Sequence, residues 1–402
     1  MRILGIDLGS SSVKAVEMES AFGRFEVRDY YEQVIAPHET QKEALFRLLE
    51  GLPKAPDRVI LGLCNGQSTF RILELPTRDR KAIQSAVGFE LEDDLPFALD
   101  ESTLQYSILS QNKQGSSLYV SITLKKYLAQ ALETWEDARF SPDVITPEEW
   151  AYRALINRIQ ASSSASEHPL LVVIGHQKTV FYLQDEQTPR VISEVTWGGR
   201  DLTQAISQAQ NLSWDEAEKM KLNHGILLPE NPPADTPAEQ QELSACLARA
   251  CGRLPEWIKK IDLIARSLTQ REITSIYLSG GTALLPGLGA WLEQQLQMPV
   301  KPLRALSQLT SSGIVYSEET DARFLLASAL SLASMSLDRI PCINLRKDEF
   351  AKAKRERKLD LRMYSKPLLS VGAIVMSLFI SLTVQSMVYQ SRLKATNAQL
   401  DK

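Results

Sequence analysis

Apolar and polar positions nearly alternate at the start of the chain, and a run of small polar residues interrupts the alternation. The alternating stretches are residues 3–8 and 13–18, and residues 9–12 between them read G-S-S-S. Alternation is typical of a half-buried strand, and glycine and serine suit a tight turn. The pattern therefore predicts a β-hairpin at the beginning of the chain.

The rest of the chain mixes strand-like and helix-like periods. The predicted strands are 24–34, 58–63, 102–109, 117–123 and 275–278, and the predicted helices are 41–52, 78–91, 125–138, 201–210, 213–221, 242–268 and 287–296. A second strand–turn–strand pattern at 169–183 lies about 165 residues after the first, which indicates a duplicated fold with two lobes. The alternation of strands and helices predicts an α/β protein.

Composition excludes several classes of protein. The chain has 402 residues, of which 44% are hydrophobic and 23% charged, and its net charge is -4. This is a folded chain without the basic surface that binding to nucleic acid requires. The cysteines form no C-x-x-C pair and the histidines have no metal-ligand spacing, so neither a disulfide framework nor a zinc site is expected. These residues are Cys64, Cys246, Cys251, Cys342, His38, His168, His176 and His224.

The charge is concentrated near the end of the chain. Residues 346–366 carry nine basic and four acidic side chains, whereas residues 367–391 carry none of either. An uncharged run of about 25 residues is long enough to cross a bilayer as a helix, although a buried core helix is the alternative. We therefore expect a single transmembrane helix at 367–389 and, because basic residues stay inside, a cytoplasmic N-terminal part.

Small and polar residues recur every fourth position within this apolar run, so they share one helical face. Such a face allows close packing against another helix, although small polar residues are also common in spans without a partner. The residues are Ala373, Ser377, Ser381 and Gln385. Residues 390–402 are expected to form a short periplasmic stub.

Two motifs suggest phosphate and nucleotide chemistry. The first hairpin reads I-D-L-G-S-S-S-V-K at 6–14, where backbone N–H groups of the turn can face phosphate oxygens and Asp7 can hold Mg²⁺ through water. The second motif, I-Y-L-S-G-G-T-A-L-L-P-G-L at 276–288, has two glycines after a strand, where a nucleotide can approach the backbone.

In order and spacing, these motifs resemble those of the actin/Hsp70/sugar-kinase superfamily. The resemblance narrows to the pilus assembly protein PilM and the type II secretion system L protein through L-P-T-R-D-R-K-A-I and D-D-L-P-F-A-L-D-E within 75–101, W-G-G-R-D-L-T at 197–203 and W-D-E-A-E-K-M-K at 214–221. The segment P-C-I-N-L-R at 341–346 is similar to the I-N-L peptide that opens PilN-type partners.

The resemblance implies a duplicated actin-like (ribonuclease H-like) two-lobed fold with an inserted small α+β lobe, followed by the transmembrane helix. The expected divisions are a cytoplasmic domain at 1–335 with the insert at about 75–150 and the second lobe at about 195–335, and a basic linker at 336–366. Phe89, Phe97 and Tyr106 are expected to fill the core of the insert.

One position departs from the family pattern. Where the second hairpin normally carries an aspartate, this chain has Ile174, which can neither accept a proton nor hold hydrated Mg²⁺. Hydrolysis is therefore not expected, and both ATP binding without turnover and an empty cleft stay open. The candidate nucleotide-binding residues are Asp7, Gly9, Ser10, Ser11, Ser12, Lys14, Gly280 and Gly281, with Asp7 as the magnesium ligand if a nucleotide binds.

By resemblance, the chain is expected to be a non-enzymatic scaffold in the bacterial inner membrane, serving type II secretion or type IV pilus assembly. Its expected partners are a cytoplasmic E-type assembly ATPase, an M-type or PilN/PilO-like membrane subunit, the lipid bilayer and a second copy of itself. Ile343, Asn344 and Leu345 are the expected partner-binding residues. The alternatives are a PilM–PilN fusion that binds ATP, a membrane-tethered actin-like ATPase, and a filament-forming division protein of the FtsA type.

Overall fold

The computed structural model describes most of the chain. The described residues are 1–21, 24–36, 38–92, 94–160, 167–186, 188–304, 306, 309, 316–333, 341–352 and 376–393. They belong to two compact units, Met1–Ala351 and Lys352–Lys402. The candidate nucleotide cleft and the candidate partner-binding segment lie in the first unit.

The first unit contains a strand or helix at each place where the sequence predicts one, together with several elements that were not predicted. The strands are β1 (Arg2–Leu8), β2 (Ser12–Ala21), β3 (Arg24–Val34), β4 (Arg58–Leu63), β5 (Ser68–Leu75), β6 (Ser102–Gln111), β7 (Ser116–Leu124), β8 (Val144–Pro147), β9 (Pro169–Ile174), β10 (Thr179–Asp185), β11 (Thr188–Val195), β12 (Ser275–Ser279) and β13 (Val300–Pro302). The helices are α1 (Gln41–Glu50), α2 (Arg80–Glu92), α3 (Lys125–Glu133), α4 (Glu148–Gln160), α5 (Gly199–Gln210), α6 (Trp214–His224), α7 (Ala238–Cys251), α8 (Arg253–Thr269), α9 (Leu288–Leu296), α10 (Glu318–Arg323) and α11 (Leu325–Ala333).

Two sheets repeat one plan. The first has the strand order β3-β2-β1-β4-β8 and the second has β11-β10-β9-β12-β13. In each, three antiparallel strands lead into parallel ones: β1 and β4 pair in parallel, as do β9 and β12. The two hairpins thus occupy equivalent places, and the predicted duplicated, two-lobed α/β fold is confirmed.

Helix α11 returns from the second lobe to the first sheet, and one glycine allows its close approach. A Cβ at Gly5 would lie 2.2 Å from the carbonyl oxygen of Ala327. Instead, the Gly5 N–H donates to Ser331 Oγ at 2.8 Å, and that hydroxyl donates to the Val16 carbonyl at 2.8 Å. The end of the domain is thereby fixed to its first strand.

The bounds of the lobes differ from the expected ones. The insert is a three-stranded sheet of order β5-β7-β6 covered by α2, so it begins at Ser68, and β8 and α4 after it rejoin the first lobe. The second lobe begins with β9 at Pro169 rather than near 195, because β9 and β10 pair within the second sheet. Residues 341–351 of the expected linker belong to the same compact unit as the domain.

The expectation for Phe89 was wrong. Its side chain is 78% exposed, whereas Phe97 and Tyr106 pack partly buried against the insert core. Helix α2 buries Ile83 and Val87, which lie four residues apart on one face, so Phe89 points away from that face.

The second unit is described at 376–393, which are helical and exposed along their whole length. Among the described residues, no helix is both long and apolar enough to cross a membrane. Ser377, Ser381 and Gln385 of the predicted packing face lie on this helix, whereas Ala373, the start of the predicted span and most of the predicted stub lie outside the described residues.

The insert is joined to the first lobe through a buried acid. Tyr119 on β7 stacks on Phe70 with ring centroids 5.5 Å apart, lies 4.6 Å from Trp150, and donates its hydroxyl to Glu149 Oε1 at 2.8 Å. Burial raises the pKa of Glu149 from its ordinary 4.5 to about 7, while the Tyr119 hydrogen bond opposes the shift.

We expect Glu149→Gln to be more stable than the wild type above pH 7 and nearly equal to it below pH 4.5. A raised pKa in the folded state contributes stability that is fully present below the unfolded value and is lost as pH rises through the folded value. A pKa difference of about 2.5 corresponds to about 3 kcal/mol, and the amide oxygen of the substituted side chain can still accept the Tyr119 hydrogen bond. Denaturant titration of both proteins across this range tests the prediction, and a difference that does not vary with pH would contradict it.

Candidate functional site

A cleft with a cavity of about 570 Å³ lies where the turns of the two hairpins face each other. The size is within the range of small-molecule sites. The β1–β2 turn, the β9–β10 turn, the start of α4 and the end of β12 contribute to its walls. Among the eight predicted nucleotide-binding residues, Asp7, Gly9, Ser10, Ser11, Lys14, Gly280 and Gly281 line the cleft, whereas Ser12 is buried and does not.

A side chain that the sequence analysis did not select fixes the β1–β2 turn through two hydrogen bonds. Gln41 Nε2, at the start of α1, donates to the carbonyl oxygens of Leu8 and Gly9 at 2.9 and 3.1 Å. Thr40 caps the same helix, accepting from the Glu43 N–H at 3.2 Å. These bonds fix the carbonyls of the turn and leave its serines at the cleft wall.

The two glycines of the second motif have different roles. Gly280 has φ +96, and a Cβ there would lie 2.3 Å from the carbonyl oxygen of Ile174, so this glycine permits contact between β12 and β9 rather than contact with a ligand. A Cβ at Gly281 would meet no described atom within 4 Å. Gly281 therefore leaves the open space at the cleft wall that the sequence predicted for both.

A lysine and two glutamates, none of them selected from the sequence, lie inside the cleft. Lys178 Nζ is 3.0 Å from Glu194 Oε2 on β11 and 3.4 Å from Glu148 Oε1, the first residue of α4. The sequence offered one sign of this lysine, because Lys178 lies in the turn G-H-Q-K-T, four residues after Ile174. The two glutamates gave no local signal, because only the path of the chain brings them to this turn.

The charges in the cleft depend on one another. Burial raises the pKa of Asp7, and the nearby ammonium groups of Lys14 and Lys178 oppose that rise. Burial also raises the pKa of Glu148, again opposed by Lys178. Burial disfavours the charge on Lys178 itself, but the carboxylates of Glu148 and Glu194 outweigh burial and raise the pKa of the ammonium. Lys178 is therefore a permanent cation within an acidic cluster.

The residues fit a nucleotide better than they fit a metal ion. The serine turn, the open space at Gly281 and the cavity volume suit a phosphorylated ligand. Ile174 is fully buried and apolar, and Lys178 already occupies the carboxylates of Glu148 and Glu194. Among the described residues, no group of three or more His, Cys, Asp or Glu side chains could hold a metal ion.

A second candidate site is a groove that the chain fills with its own residues. The Leu345 N–H donates to the carbonyl of Ile145 at 2.8 Å, and the Ile145 N–H donates to Asn344 Oδ1 at 3.1 Å. Ile343 and Leu345 are 0% exposed. Asn344 and Leu345 therefore bond to β8, the edge strand of the first sheet, and Ile343 and Leu345 bury their apolar side chains in the core of the first lobe.

Both ends of this segment are also fixed. Ser107 Oγ on β6 of the insert donates to the Pro341 carbonyl at 3.5 Å. The Arg346 guanidinium donates to the carbonyls of Pro142 and Phe350, the latter at 2.9 Å. The segment thus contacts the insert at one end and the loop before β8 at the other.

Comparisons with known proteins agree with this architecture. The family model described as type IV pilus assembly protein PilM matches residues 5–335. The solved PilM-PilN type IV pilus biogenesis complex is 20% identical over 83% of this chain and 98% of its own, with a TM-score of 0.67.

Two more distant structures match less well. The cytoplasmic domain of EpsL, an inner membrane component of the type II secretion system of Vibrio cholerae, is 12% identical over 87% of this chain and 100% of its own, with a TM-score of 0.40. MreB 5 of Spiroplasma citri, solved with AMPPNP, is 12% identical over 77% of this chain and 93% of its own, with a TM-score of 0.42. The PilM-PilN complex thus shares the two-lobed fold of this chain, and the chain belongs to the type IV pilus assembly protein PilM family.

Proposed function

We propose that this protein is a membrane-anchored scaffold of a pilus or secretion assembly platform that carries a PilN-like peptide on its own chain. The docked segment around Asn344 is the observation that carries the proposal. In the PilM-PilN complex two named proteins are joined, whereas here one chain contains a PilM-family domain and a segment similar to the PilN peptide. A scaffold with this arrangement needs no separate partner to fill the groove beside β8.

The docked segment leads directly into the basic run and the uncharged stretch. Residues 346–366 supply basic side chains that anionic lipid headgroups attract, and 367–389 form the proposed single span of the bacterial inner membrane. The basic side places the N-terminal unit in the cytoplasm. Docking of Ile343 and Leu345 fixes the point at which the chain leaves the domain, so movement of the domain can pull on the anchor.

The proposed cytoplasmic partner is an E-type assembly ATPase, and the proposed membrane partners are an M-type or PilN/PilO-like subunit and a second copy of this chain. The insert is the proposed contact with the motor, because it projects from the first lobe and exposes Phe89. Aromatic side chains are enriched at the centres of protein interfaces. A phenylalanine that is 78% exposed would contribute binding free energy if a partner buried it.

The cleft is proposed to bind ATP without hydrolysing it. Asp7 remains, but Ile174 cannot orient or deprotonate an attacking water. A membrane-tethered ATPase is the second candidate, favoured by the family fold and by Asp7. Steady ATP turnover by the purified protein, abolished by Asp7→Ala, would support that candidate.

We expect the double variant Asn344→Ala and Leu345→Ala to release the docked segment. The loss of the acceptor of the Ile145 N–H costs about 1–3 kcal/mol of docking free energy, and the loss of a buried leucine side chain costs about 2–5 kcal/mol. A labelled peptide of sequence 341–351 should then bind the variant in fluorescence anisotropy but not the wild type. Glu349→Ala is the control, since its carboxylate makes only an exposed ion pair at 3.3 Å with Lys125 among the described residues. Equal peptide binding by wild type and double variant would contradict docking within one chain.

We expect the full chain to stay in the membrane pellet after alkaline carbonate extraction. Ile380→Arg should shift part of the protein to the supernatant, because an arginine near the centre of a span costs about 3 kcal/mol of insertion free energy. Leu222→Arg is the matched control, because Leu222 is an exposed apolar residue of the first unit. Complete extraction of the wild type would rule out the proposed span.

We expect Phe89→Ser to weaken capture of a hexameric assembly ATPase by the full chain in nanodiscs at least tenfold, as an anchor worth about 1.4 kcal/mol or more would. Leu263→Ser, which removes an apolar side chain that is 68% exposed on α8, should leave capture unchanged. Equal losses from both variants, or no loss from either, would show that the insert is not the contact with the motor.

A further inference from the structure

Lys178 bridges elements from both lobes at the floor of the cleft. It belongs to the turn between β9 and β10, and it reaches Glu194 on the neighbouring strand and Glu148 at the start of α4. Its side chain is 37% exposed, so one side of the ammonium faces the cavity that it lines. The ammonium is therefore both held by carboxylates and accessible to a ligand.

The cleft carboxylates already face lysine side chains. Asp7 lies opposite Lys14 in the β1–β2 pairing and is attracted by Lys178 as well. Glu148 and Glu194 bond Lys178 directly. A divalent cation entering this cluster would meet two ammonium groups at close range, and it would have to displace Lys178 to gain the oxygens it needs.

One carboxylate oxygen of this cluster accepts no hydrogen bond from the described residues. Glu148 Oε2 is buried and has no hydrogen-bond partner among the described residues, although Glu148 Oε1 contacts Lys178. A buried carboxylate oxygen without a donor is costly, and a ligand that brings donors, or water carried with it, would satisfy it. The cluster thus keeps one buried acceptor without a donor among the described residues.

We propose that Lys178 supplies to bound phosphates the positive charge that a divalent cation ordinarily supplies, so that this cleft binds a nucleoside triphosphate without Mg²⁺. The inference rests on the nucleotide binding proposed above and names its electrostatic basis. A lysine ammonium is a compact point charge with three donors on a flexible stem, so it can keep its bonds to Glu148 and Glu194 and offer its remaining donor to a phosphate oxygen. The serine turn supplies backbone N–H groups from the opposite side.

The test is the binding of a fluorescent ATP analogue to the nucleotide-stripped full chain in nanodiscs, measured by anisotropy with excess Mg²⁺ or with excess EDTA. We expect the two dissociation constants to agree within about threefold. Binding that needs Mg²⁺ would overturn the inference and leave the proposed nucleotide binding standing. An absence of binding in both conditions would overturn both.

Variants assign the effect to the lysine. In EDTA, Lys178→Met should weaken binding at least about tenfold, because it keeps the length of the side chain and removes its charge. Lys178→Arg should retain most of the affinity. Lys301→Met is the matched control, since Lys301 is also ion-paired, at 3.2 Å to Glu167, but lies on β13 outside the cleft lining. Equal affinity of wild type and Lys178→Met in EDTA would overturn the inference even if Mg²⁺ is not needed.

Discussion

The docking of residues 343–345 beside β8 is the contact on which the rest of the molecule depends. An edge strand presents unpaired N–H and C=O groups, and a protein must cover them or risk pairing with another chain. Here the chain covers β8 itself, through the Leu345 N–H and the Asn344 side chain, and buries two apolar side chains in the same step. The segment that would otherwise be a free linker thereby becomes part of the first lobe.

The docked segment also provides a mechanical connection between the first lobe and the residues that follow it in the chain. The docked segment contacts the insert through Ser107 and the loop before β8 through Arg346, while α11 packs on β1 of the same sheet. A rearrangement of the first lobe would therefore displace the segment, and a force on the tail would act on the edge of the sheet. In the proposed scaffold, a docked peptide would transmit movement better than a flexible linker, because a flexible linker absorbs displacement.

The cleft shows a different use of the same fold. In place of an aspartate, Ile174 closes the end of β9 with an apolar side chain, and the lysine four residues later fills the acidic centre. The two changes act together. Without a second aspartate the cleft has fewer oxygen ligands for a metal ion, and the Lys178 ammonium already bonds the carboxylates that a metal ion would use. If the proposed nucleotide binds there, the Lys178 ammonium would join its phosphates to the glutamates, and this would suit a regulatory binding site rather than a catalytic one.

The sequence by itself determined the local features of this protein. Alternation predicted the first hairpin, an apolar run broken by a turn predicted the second, and the order of motifs led to the family and to the two-lobed fold. It misplaced features that depend on packing: Phe89 lies on the outer face of α2, and the elements β5, β8, β11, β13, α4, α10 and α11 were not predicted.

Only the tertiary structure decided which residues meet. Lys178 and Glu148 are 30 positions apart, and Asn344 and Ile145 are 199 apart, so neither pair leaves a pattern in any short window of sequence. A hydrogen bond or ion pair between distant residues exists because sheet pairing and helix packing bring two backbones together. That geometry is a property of the whole chain, whereas periodicity and turn chemistry are properties of a few neighbouring residues.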